Sequence, residues 1–438
     1  MNIEYQSKYA ETEGLTIAYQ IWGNSKETLV YVPGMISHLE AGLEDPDYVD
    51  WIRTLSEQFR VIIFDKRGQG LSDRDALAPN IEERMDDISA IVKAEKLDNF
   101  YLFGLSEGAA ISLLYAATFP QRVKSVAVFG GTSLFTRKEG YKSLPSKEEL
   151  IDNFVPSWGQ GNSGYLFFPH RMPEKKNDMA KMERMVCSPK TLRSILELLA
   201  SIDIRATLPD IKLPVLVMHN RDDKGISRHN GRYLADKIPG AKYIEYPIGG
   251  HLPWLEARRD IIKDLSSFYL RNLKETSDRD RNLATIMFTD IENSTKQMAD
   301  LGDKKWSDIM NLHDEVMKTT LKELGGKFVK NTGDGVLSVF DGPIRSIECA
   351  KISIQKLKAI GLNIRCSLHF GEIVWRNADV TGIAVNIAAR VLDQSNSGEI
   401  TITKNLKDLL GEIKFATESL GEYSLKGLDG NWELFKIK

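Results

Sequence analysis

Short apolar runs alternate with helical stretches through the first half of the chain, and this rhythm constrains the fold most strongly. Six of these runs end in turn residues: Thr28–Gly34, Val61–Gly68, Asn99–Ser106, Val123–Gly131, Leu213–Asn220 and Ala241–Pro247. Helical patterns lie between them, for example over Ile81–Lys96 and Gly108–Phe119. Buried strands that alternate with helices predict a doubly wound, mostly parallel sheet.

A polar segment interrupts this rhythm between about Thr132 and Arg205. It contains prolines, glycines and helical pieces instead of a further buried strand. We therefore expect residues 132–205 to form an insertion that covers one face of the sheet as a lid. The strand pattern resumes at Leu213, and the last predicted helix of this half covers Arg258–Leu273.

The second half of the chain has a different order of elements. A charged stretch predicts a linker at 274–283, between a first domain at 1–273 and a second at 284–438. Strand-like runs in the second domain are "LATIMFTD", "KFVKNTGDGVLSVF", "NIRCSLHFGEIV" and "GEITIT". Helical patterns cover about Ser294–Leu324, Gly342–Ile360 and Gly382–Gln394. This mixture predicts an α+β domain.

Composition and charge limit the classes of function. Of the 438 residues, 42% are apolar and 27% charged, as in globular proteins of two or three domains. A net charge of −3, without long runs of one sign, argues against a nucleic-acid partner. Three cysteines without CxxC spacing favour free thiols over a zinc site. No signal-peptide pattern and no run of the ~18 apolar residues that a membrane helix needs are present, so we expect a cytoplasmic protein.

An acidic residue ends the strand-like run in "TIMFTDIENST", Thr285–Thr295. Because an unpaired buried charge is costly, Asp290 requires a partner. Asp334 lies in the glycine-flanked turn of "KNTGDG", a hairpin pattern. Two such carboxylates suit Mg²⁺ or Mn²⁺, and amides of the adjoining turn suit phosphate oxygens. Those amides belong to Ile291, Glu292, Asn293, Ser294 and Thr295. The simpler alternatives are a helix cap at Asp290 and an ordinary hairpin turn at Asp334.

A third stretch, "DVTGIAVNIAAR" at Asp379–Arg390, favours the catalytic interpretation. Asn386 and Arg390 are four residues apart on a predicted helix, so both project from one face. With "FTDIENST" and "KNTGDG", this stretch resembles the class III nucleotidyl cyclases, and the resemblance covers the whole second half. It implies a ferredoxin-like α+β domain that works as a homodimer, with the active site at the interface.

The resemblance implies roles for individual residues. Asp290 and Asp334 would hold two Mg²⁺ or Mn²⁺ ions, assisted by the Ile291 carbonyl. Lys330 and Asp379 would select the base. A lysine donor and an aspartate acceptor complement N1 and N6 of adenine, whereas guanine presents the opposite arrangement.

The same resemblance implies that the pair Asn386 and Arg390 orients the ribose and stabilises the transition state. Arg390 would meet charge on the α-phosphoryl oxygens during in-line attack. Lys426, in "SLKGL", resembles a phosphate-contacting lysine on a looser match. Alone, Arg390 would be a solvated helix charge, but six matches in chain order favour the catalytic role.

A different chemistry is indicated by "FGLSEGAAISLL", Phe103–Leu114. It fits strand, G-x-S-x-G and helix, a turn that would expose Ser106, although Ser106 could instead be only an N-cap. Further along, a strand ends in two acids, of which Asp223 is better placed than Asp222. His251 follows in a glycine loop, where a purely structural histidine is the alternative. The order Ser, Asp, His is that of α/β hydrolases.

With "FDKRGQGLSDR" at Phe64–Arg74, these features resemble the α/β hydrolases over about residues 10–273. The likeness is greatest to hydrolase-type domains fused upstream of bacterial cyclases. It implies oxyanion amides at Glu107 and Met35. Pro33-Gly34 stands where many hydrolases have His-Gly, so the oxyanion loop differs from theirs. The fold does not identify the substrate.

The sequence therefore predicts an α/β hydrolase fold followed by a class III cyclase domain, and an enzyme that converts ATP to 3′,5′-cyclic AMP and diphosphate. The first domain is expected to regulate the cyclase by binding an unidentified small molecule or ester. Three alternatives stay open: a receptor without turnover, a serine esterase whose cyclase domain is secondary, and a guanylate cyclase. Phosphodiesterases and polymerases also use two metals, but neither explains Lys330 with Asp379.

Overall fold

A computed structural model describes residues 5–12, 14–74, 80–138, 144–271, 281–376, 379–410, 415–428 and 430–438. The chain divides into two compact units, Met1–Arg279 and Asp280–Lys438. Residues 274–280 of the predicted linker lie outside the described residues, and 281–283 begin a strand. In the described part of the chain, no helix is both long enough and apolar enough to cross a bilayer.

The first unit is built on an eight-stranded sheet. Its strands are β1 (Tyr5–Thr12), β2 (Leu15–Trp22), β3 (Thr28–Val32), β4 (Arg60–Phe64), β5 (Phe100–Leu105), β6 (Val123–Phe129), β7 (Val215–Asn220) and β8 (Lys242–Tyr246). They lie in the order β1-β2-β4-β3-β5-β6-β7-β8. The β1–β2 and β2–β4 pairs are antiparallel, and the other neighbours are parallel. The predicted mostly parallel sheet is confirmed, with the β1–β2 hairpin added at one edge.

Helices flank this sheet. They are α1 (Leu39–Gly42), α2 (Pro46–Ser56), α3 (Ile81–Ala94), α4 (Glu107–Thr118), α5 (Lys147–Phe154), α6 (Gly164–Phe167), α7 (Lys176–Val186), α8 (Pro189–Ser201), α9 (Arg228–Lys237) and α10 (Arg258–Arg271). Short 3₁₀ helices cover Val155–Ser157, Pro169–Arg171 and Arg205–Asp210. Helices α5 to α8 lie between β6 and β7 and contribute no strand to the sheet.

Aromatic side chains form much of the core that holds the sheet to its outer helices. Phe59, Tyr101 and Tyr269 are buried, and the rings of Phe59 and Tyr269 meet edge to face. Tyr269 donates a hydrogen bond to the Leu102 carbonyl at 2.7 Å, so its hydroxyl is satisfied. Burying one such side chain stabilises the fold by roughly 1.5–3 kcal/mol. These contacts fix α10 on the sheet.

The second unit has a mixed, mainly antiparallel sheet. Its strands are β9 (Arg281–Ile291), β10 (Lys327–Asn331), β11 (Val336–Phe340), β12 (Ile364–Arg376), β13 (Asp379–Thr381), β14 (Ile400–Thr403), β15 (Thr417–Ser424) and β16 (Asn431–Ile437). The order is β10-β11-β9-β12-β14-β16-β15, and β13 pairs with β12. Only the β12–β14 pair is parallel among these described neighbours.

The helices of this unit are α11 (Ser294–Leu301), α12 (Asp303–Glu323), α13 (Pro343–Ala359), α14 (Ile383–Leu392) and α15 (Lys404–Leu410). The single helix predicted over Ser294–Leu324 is wrong in one respect, because it is two helices. Gly302 adopts a φ of 76°, which ends α11 before α12 begins. Such a φ interrupts helical geometry, and glycine adopts it at little cost.

Helix α14 packs one face on the sheet and exposes the other. Ala384, Ile387, Ala388 and Val391 are buried. Asn386 and Arg390 are exposed on the remaining face, as their i, i+4 spacing predicts. The apolar stripe therefore fixes the helix, and the two polar side chains stay available to a ligand.

Candidate active sites

Ser106 lies in a sharp turn between β5 and α4. Its φ of 55° and ψ of −117° are strained for a residue with a side chain. Two glycines permit this turn: a Cβ at Gly108 would lie 2.2 Å from the Val32 carbonyl oxygen, and one at Gly104 would lie 2.5 Å from the Gly108 oxygen. The Ser106 side chain makes no capping hydrogen bond to α4. The geometry is that of a nucleophile elbow and not of an N-cap.

His251 and Asp223 lie together as a buried pair. His251 Nδ1 is 2.8 Å from Asp223 Oδ2. The other oxygen, Oδ1, accepts the amides of Gly225 at 2.8 Å and Ile226 at 3.0 Å. Asp222 has no contact with His251 among the described residues. Of the two acids at this position, the structure therefore brings Asp223 to the histidine.

A second histidine reaches the same carboxylate. His219 Nε2 lies 3.2 Å from Asp223 Oδ2 and 2.8 Å from the Ile226 carbonyl. Burial alone would raise the pKa of Asp223, but His251 and His219 outweigh burial and hold it below its usual value. Asp223 is therefore ionised and fixes the His251 tautomer with a proton on Nδ1. The sequence patterns do not single out His219, although its place four residues before Asp223 is a usable signal.

Ser106 and His251 line one cavity of about 610 Å³. This volume falls within the range of about 300–1,000 Å³ that is usual for small-molecule sites. The insertion between β6 and β7 supplies one wall of this cavity. It also contacts His251, whose backbone amide donates to the Phe167 carbonyl at 2.8 Å. The apolar lining from this insertion includes Phe135, Leu150, Phe154, Phe167, Met179 and Leu199.

The two amides expected to form an oxyanion site lie on backbone next to Ser106. Glu107 follows Ser106 directly and begins α4. Met35 lines the same cavity as Ser106. Its neighbour Gly34 lies so close that a Cβ there would be 3.1 Å from the Ser106 Cβ. The structure thus places both segments beside the serine.

In the second unit, a tight backbone contact brings Asp334 to Asp290. Asp334 lies in the turn between β10 and β11, and Asp290 lies near the end of β9. A Cβ at Gly335 would be 1.8 Å from the Thr289 carbonyl oxygen, so only glycine allows the turn to close on β9. The Val336 amide also donates to the Thr289 hydroxyl at 3.1 Å.

A guanidinium shares the carboxylate site. Burial raises the pKa of Asp290; Arg365 lowers it, and the neighbouring Asp334 raises it. Arg365 lies opposite Asp290 in the β9–β12 register and donates to Oδ2 from Nε at 2.9 Å and Nη2 at 2.6 Å. The sequence patterns do not single out Arg365, because its contact depends on strand register.

Two neighbouring carboxylates, one of which raises the pKa of the other, are a donor set that suits a divalent cation. In the described residues, no group of three or more Asp, Glu, His or Cys side chains forms a metal cage. Mg²⁺ commonly binds through one or two carboxylates together with substrate phosphates. Asp290 and Asp334 fit that manner of binding.

Lys330 and Asp379 form an exposed pair on β10 and β13. Lys330 Nζ lies 2.6 Å from Asp379 Oδ2, and each side chain is nearly half exposed. The hydrogen bond from Lys330 and the amide of Val380 lower the pKa of Asp379. A charged donor and a charged acceptor are thus presented side by side to solvent.

The remaining predicted residues lie apart from these contacts. Arg390 lies 3.5 Å from Asp393, and among the described residues neither Asn386 nor Arg390 forms a hydrogen bond or ion pair with Asp290 or Asp334. Lys426 is exposed in the turn after β15. One chain therefore does not bring all of the predicted cyclase residues together.

The turn after Asp290 leads into α11. Ile291 is buried at the end of β9, and Asn293 has a left-handed φ of 54°. The Glu292 amide donates to the Asn363 carbonyl at 2.9 Å, so this amide is already used. Ser294 and Thr295 form the first turn of α11, where amides lack intrahelical acceptors.

Comparison with known proteins divides the chain in the same way. Residues 23–258 match the family described as serine aminopeptidase, S33. Residues 277–438 match the family described as adenylate and guanylate cyclase catalytic domain. The first match alone covers more than half of the chain.

Individual relatives also match the first unit. The human serine hydrolase BPHL is 24% identical over 247 residues, which cover 54% of this chain and 77% of that protein. The AB hydrolase superfamily protein YisY of Bacillus subtilis is 26% identical over 219 residues, 48% of this chain and 81% of that protein.

A solved esterase from Exiguobacterium antarcticum has the same fold as the first unit, with a TM-score of 0.54 at 23% identity. The match covers 60% of this chain and all of the esterase. The chain thus belongs to the S33 serine aminopeptidase family of α/β hydrolases through residues 23–258, and it carries an adenylate and guanylate cyclase catalytic domain at 277–438.

Proposed function

We propose that the second unit is an adenylate cyclase that converts ATP to 3′,5′-cyclic AMP and diphosphate as a homodimer. The observation that carries this proposal is the exposed Lys330–Asp379 pair, 2.6 Å apart, in a unit that also joins Asp290 to Asp334. The carboxylates suit a metal–triphosphate group, and the Lys–Asp pair suits the edge of a base. Together they match the two ends of a nucleoside triphosphate.

Asp290, Asp334 and the Ile291 carbonyl would hold Mg²⁺ or Mn²⁺, two ions in each site. When bound, such ions lower the pKa of the ribose 3′-hydroxyl and neutralise the triphosphate. The 3′-oxygen attacks the α-phosphorus, and diphosphate leaves. Arg365 opposes the rise in the pKa of Asp290 that burial and Asp334 cause, and it lies beside the same carboxylates, so it can share the charge of phosphate oxygens.

Lys330 and Asp379 would select adenine over guanine. Lys330 donates to N1, and Asp379 accepts from N6, so both partners are satisfied. Guanine would place a donor against the lysine and an acceptor against the aspartate. A site built on hydrogen bonds rejects a mismatched partner strongly, because buried polar groups stay unpaired.

A second chain would complete the site. Asn386 and Arg390 would act on the ribose and on the α-phosphoryl oxygens, yet neither forms a hydrogen bond or ion pair with Asp290 or Asp334 in the described chain. We assign Lys330, Asp379, Asn386 and Arg390 to one chain and the metal carboxylates to its symmetric partner. Large apolar side chains on α11, α12 and α14 support association, since they are 40–61% exposed: Met298, Leu301, Leu312 and Ile383.

The direct test is incubation of the purified chain with Mn²⁺ and either ATP or GTP, with products identified by mass. We expect cyclic AMP from ATP and little product from GTP. The double variant Lys330→Glu with Asp379→Cys should lose ATP use and gain GTP use. Cyclic GMP from the unsubstituted chain would favour the guanylate alternative, and an unchanged ATP preference in the variant would assign base selection to other residues.

For the first unit we propose a site for a small, mostly apolar ester or lactone at Ser106. Its support is the cavity of about 610 Å³ that joins Ser106 and His251 to apolar side chains of the insertion. Ser106 Oγ would attack the carbonyl carbon while His251 Nε2 accepts the hydroxyl proton, because Nδ1 is engaged with Asp223.

We further propose that occupancy of this site changes cyclase output, by a coupling of several-fold to about a hundredfold. The test measures cyclase rates with and without a fluorophosphonate that labels Ser106. The comparisons are Ser106→Ala, which cannot be labelled, and a shortened chain that starts near Asp280. The proposal is contradicted if Ser106 is labelled without a change in the cyclase rate and the full and shortened chains have equal cyclase rates. The first unit would then be an independent esterase joined to a cyclase.

A further inference from the structure

Lys66 is buried at the base of the Ser106 site, where lysine is seldom found without specific partners. Its side chain is only 1% exposed. Its ammonium group meets three acceptors: the Gly34 carbonyl at 2.5 Å, the Pro33 carbonyl at 3.3 Å and Glu107 Oε2 at 2.6 Å. Lys66 thus joins the stretch after β4 to the loop after β3 and to the residue after Ser106.

The contact with Gly34 determines where the Met35 amide points. The Gly34 carbonyl and the Met35 N–H belong to one planar trans peptide group, in which they point in opposite directions. Because Lys66 holds the carbonyl on one side, the N–H faces the other side. This peptide adjoins the serine, since a Cβ on Gly34 would lie 3.7 Å from Ser106 Oγ.

The peptides on either side are held in the same manner. The Pro33 carbonyl also accepts from Lys66. The Met35 carbonyl accepts from the Gln69 side chain. Lys66 and Gln69 both belong to the "DKRGQG" stretch, so three successive carbonyls of the loop turn toward it.

Glu107 brings the second predicted oxyanion amide into the same network. Its backbone follows Ser106, and its buried carboxylate contacts Lys66 and, at 3.4 Å, Arg84 Nε. Burial would raise the pKa of Glu107, but these two cations lower it below its usual value. Burial lowers the pKa of Lys66 to about 8, so at pH 7 the Lys66–Glu107 pair is charged. It connects the two peptides that carry Met35 and Glu107.

We propose that Lys66 is a positioning residue of the oxyanion site, whose hold on the Gly34 carbonyl aims the Met35 amide at the carbonyl oxygen of a substrate on Ser106. The inference rests on the proposed role of Ser106 as nucleophile. A charge-assisted hydrogen bond to the carbonyl also polarises the peptide group, and this strengthens the Met35 N–H as a donor.

The experiment compares two ligands of the full chain: an alkyl trifluoromethyl ketone and the matching alcohol. Ser106 Oγ adds to the ketone carbon, its proton passes to His251, and the carbonyl oxygen becomes an oxyanion. The alcohol fills the same space without forming one. Lys66→Met removes the donors at similar volume, and Lys66→Met with Glu107→Gln also avoids an unpaired buried carboxylate.

In the folded variants, the ratio of ketone affinity to alcohol affinity should fall by about 10²–10³-fold. The alcohol affinity itself should stay within about threefold of that of the unsubstituted chain. An unchanged preference would overturn the proposal, as would equal losses for both ligands or failure of both variants to fold. If the unsubstituted chain shows no preference and no fluorophosphonate labelling, then the role of Ser106 is wrong and the inference falls with it.

Discussion

Four donors converge on the carboxylate of Asp223: two backbone amides and two imidazoles. This set keeps the carboxylate charged although it is buried, and it leaves His251 with one favoured orientation. Asp222, the adjacent residue, has none of these contacts. The sequence pattern favours Asp223 over Asp222, and the loop that follows β7 brings Asp223 to the two histidines.

Asp223→Asn should slow reaction at Ser106 by about 10³–10⁴-fold, because an amide cannot fix the required tautomer of His251. The rate of fluorophosphonate labelling measures this effect on the full chain. Asp222→Asn is the matched control and should label at the unsubstituted rate. If the two variants are labelled at equal rates, Asp223 does not assist the reaction at Ser106.

The buried side chain of His369 makes the stability of the second unit depend on pH. Its Nδ1 lies 2.8 Å from the Thr403 hydroxyl, and burial lowers its pKa to about 3. In the unfolded chain the value is about 6.5, so between those two values the unfolded state binds more protons. Stability should therefore fall as pH falls, by on the order of 3 kcal/mol from pH 6.5 to 4.

Urea unfolding at several pH values measures this loss of stability. Peptide-resolved hydrogen exchange, corrected for intrinsic exchange rates, assigns the loss to the second unit. The control is His369→Gln, which still offers Thr403 a hydrogen-bond partner but cannot take up a proton. All other titratable groups are present in both the unsubstituted chain and the His369→Gln variant, so their effects on stability cancel when the two are compared. The same acid-side slope in both would show that His369 does not set it.

At the scale of elements, the turn between β10 and β11 determines the geometry of the cyclase carboxylates. Gly335 approaches the Thr289 carbonyl, and this approach brings Asp334 to Asp290. Gly333, in the same turn, has a φ of 93° and open space around its Cβ position. One glycine is therefore required by contact and the other by backbone conformation.

Gly335→Ala should lower the cyclase rate by at least about 10²-fold, because a shift of the turn misplaces Asp334 relative to Asp290. Gly333→Ala is the comparison in the same turn: it adds backbone strain of roughly 1 kcal/mol without a clash. Its rate should fall far less. Rates at saturating Mn²⁺ and ATP measure both effects. Similar losses would mean that strain, and not the close contact, governs the site.

In the first unit, the sequence predicts the strands that are short apolar runs ending in turn residues. The six parallel strands of the first sheet are confirmed; β3 to β7 are mostly buried, whereas β8 is partly exposed. The β1–β2 hairpin is not predicted: β1 is a largely exposed edge strand, and the buried β2 has polar residues among its apolar ones. The break at Gly302 is missed as well, since the apolar periodicity continues across it and only the backbone conformation ends the helix.

The candidate sites show the same limit at the level of residues. Ser106, Asp223 and His251 follow from local motifs, and the structure joins the last two directly. Arg365, His219 and Lys66 do not follow, because their contacts depend on strand register or on loops distant in sequence. Motifs thus indicate the reacting groups, whereas the residues that orient them become visible only in three dimensions.

At the scale of the whole molecule, the proposed cyclase reaction requires two chains for one active site. Each unit has its own core and its own candidate site. The hydrolase residues form contacts within one chain, whereas the cyclase residues form two separate groups. A homodimer that pairs these groups would contain two equivalent sites. Any ligand that changes the alignment of the subunits would then change the rate, which is how regulation by the first unit would act.

The most direct test of this account mixes two inactive full-length variants, Asp290→Ala and Arg390→Ala, and measures cyclic AMP production. Each variant alone lacks one group in both of its sites. Random pairing makes half of the dimers heterodimers, each with one intact site, so about a quarter of the unsubstituted rate should return. Heterodimers are verified with two affinity tags. If they form and no activity returns, the two groups do not complete one another across a dimer.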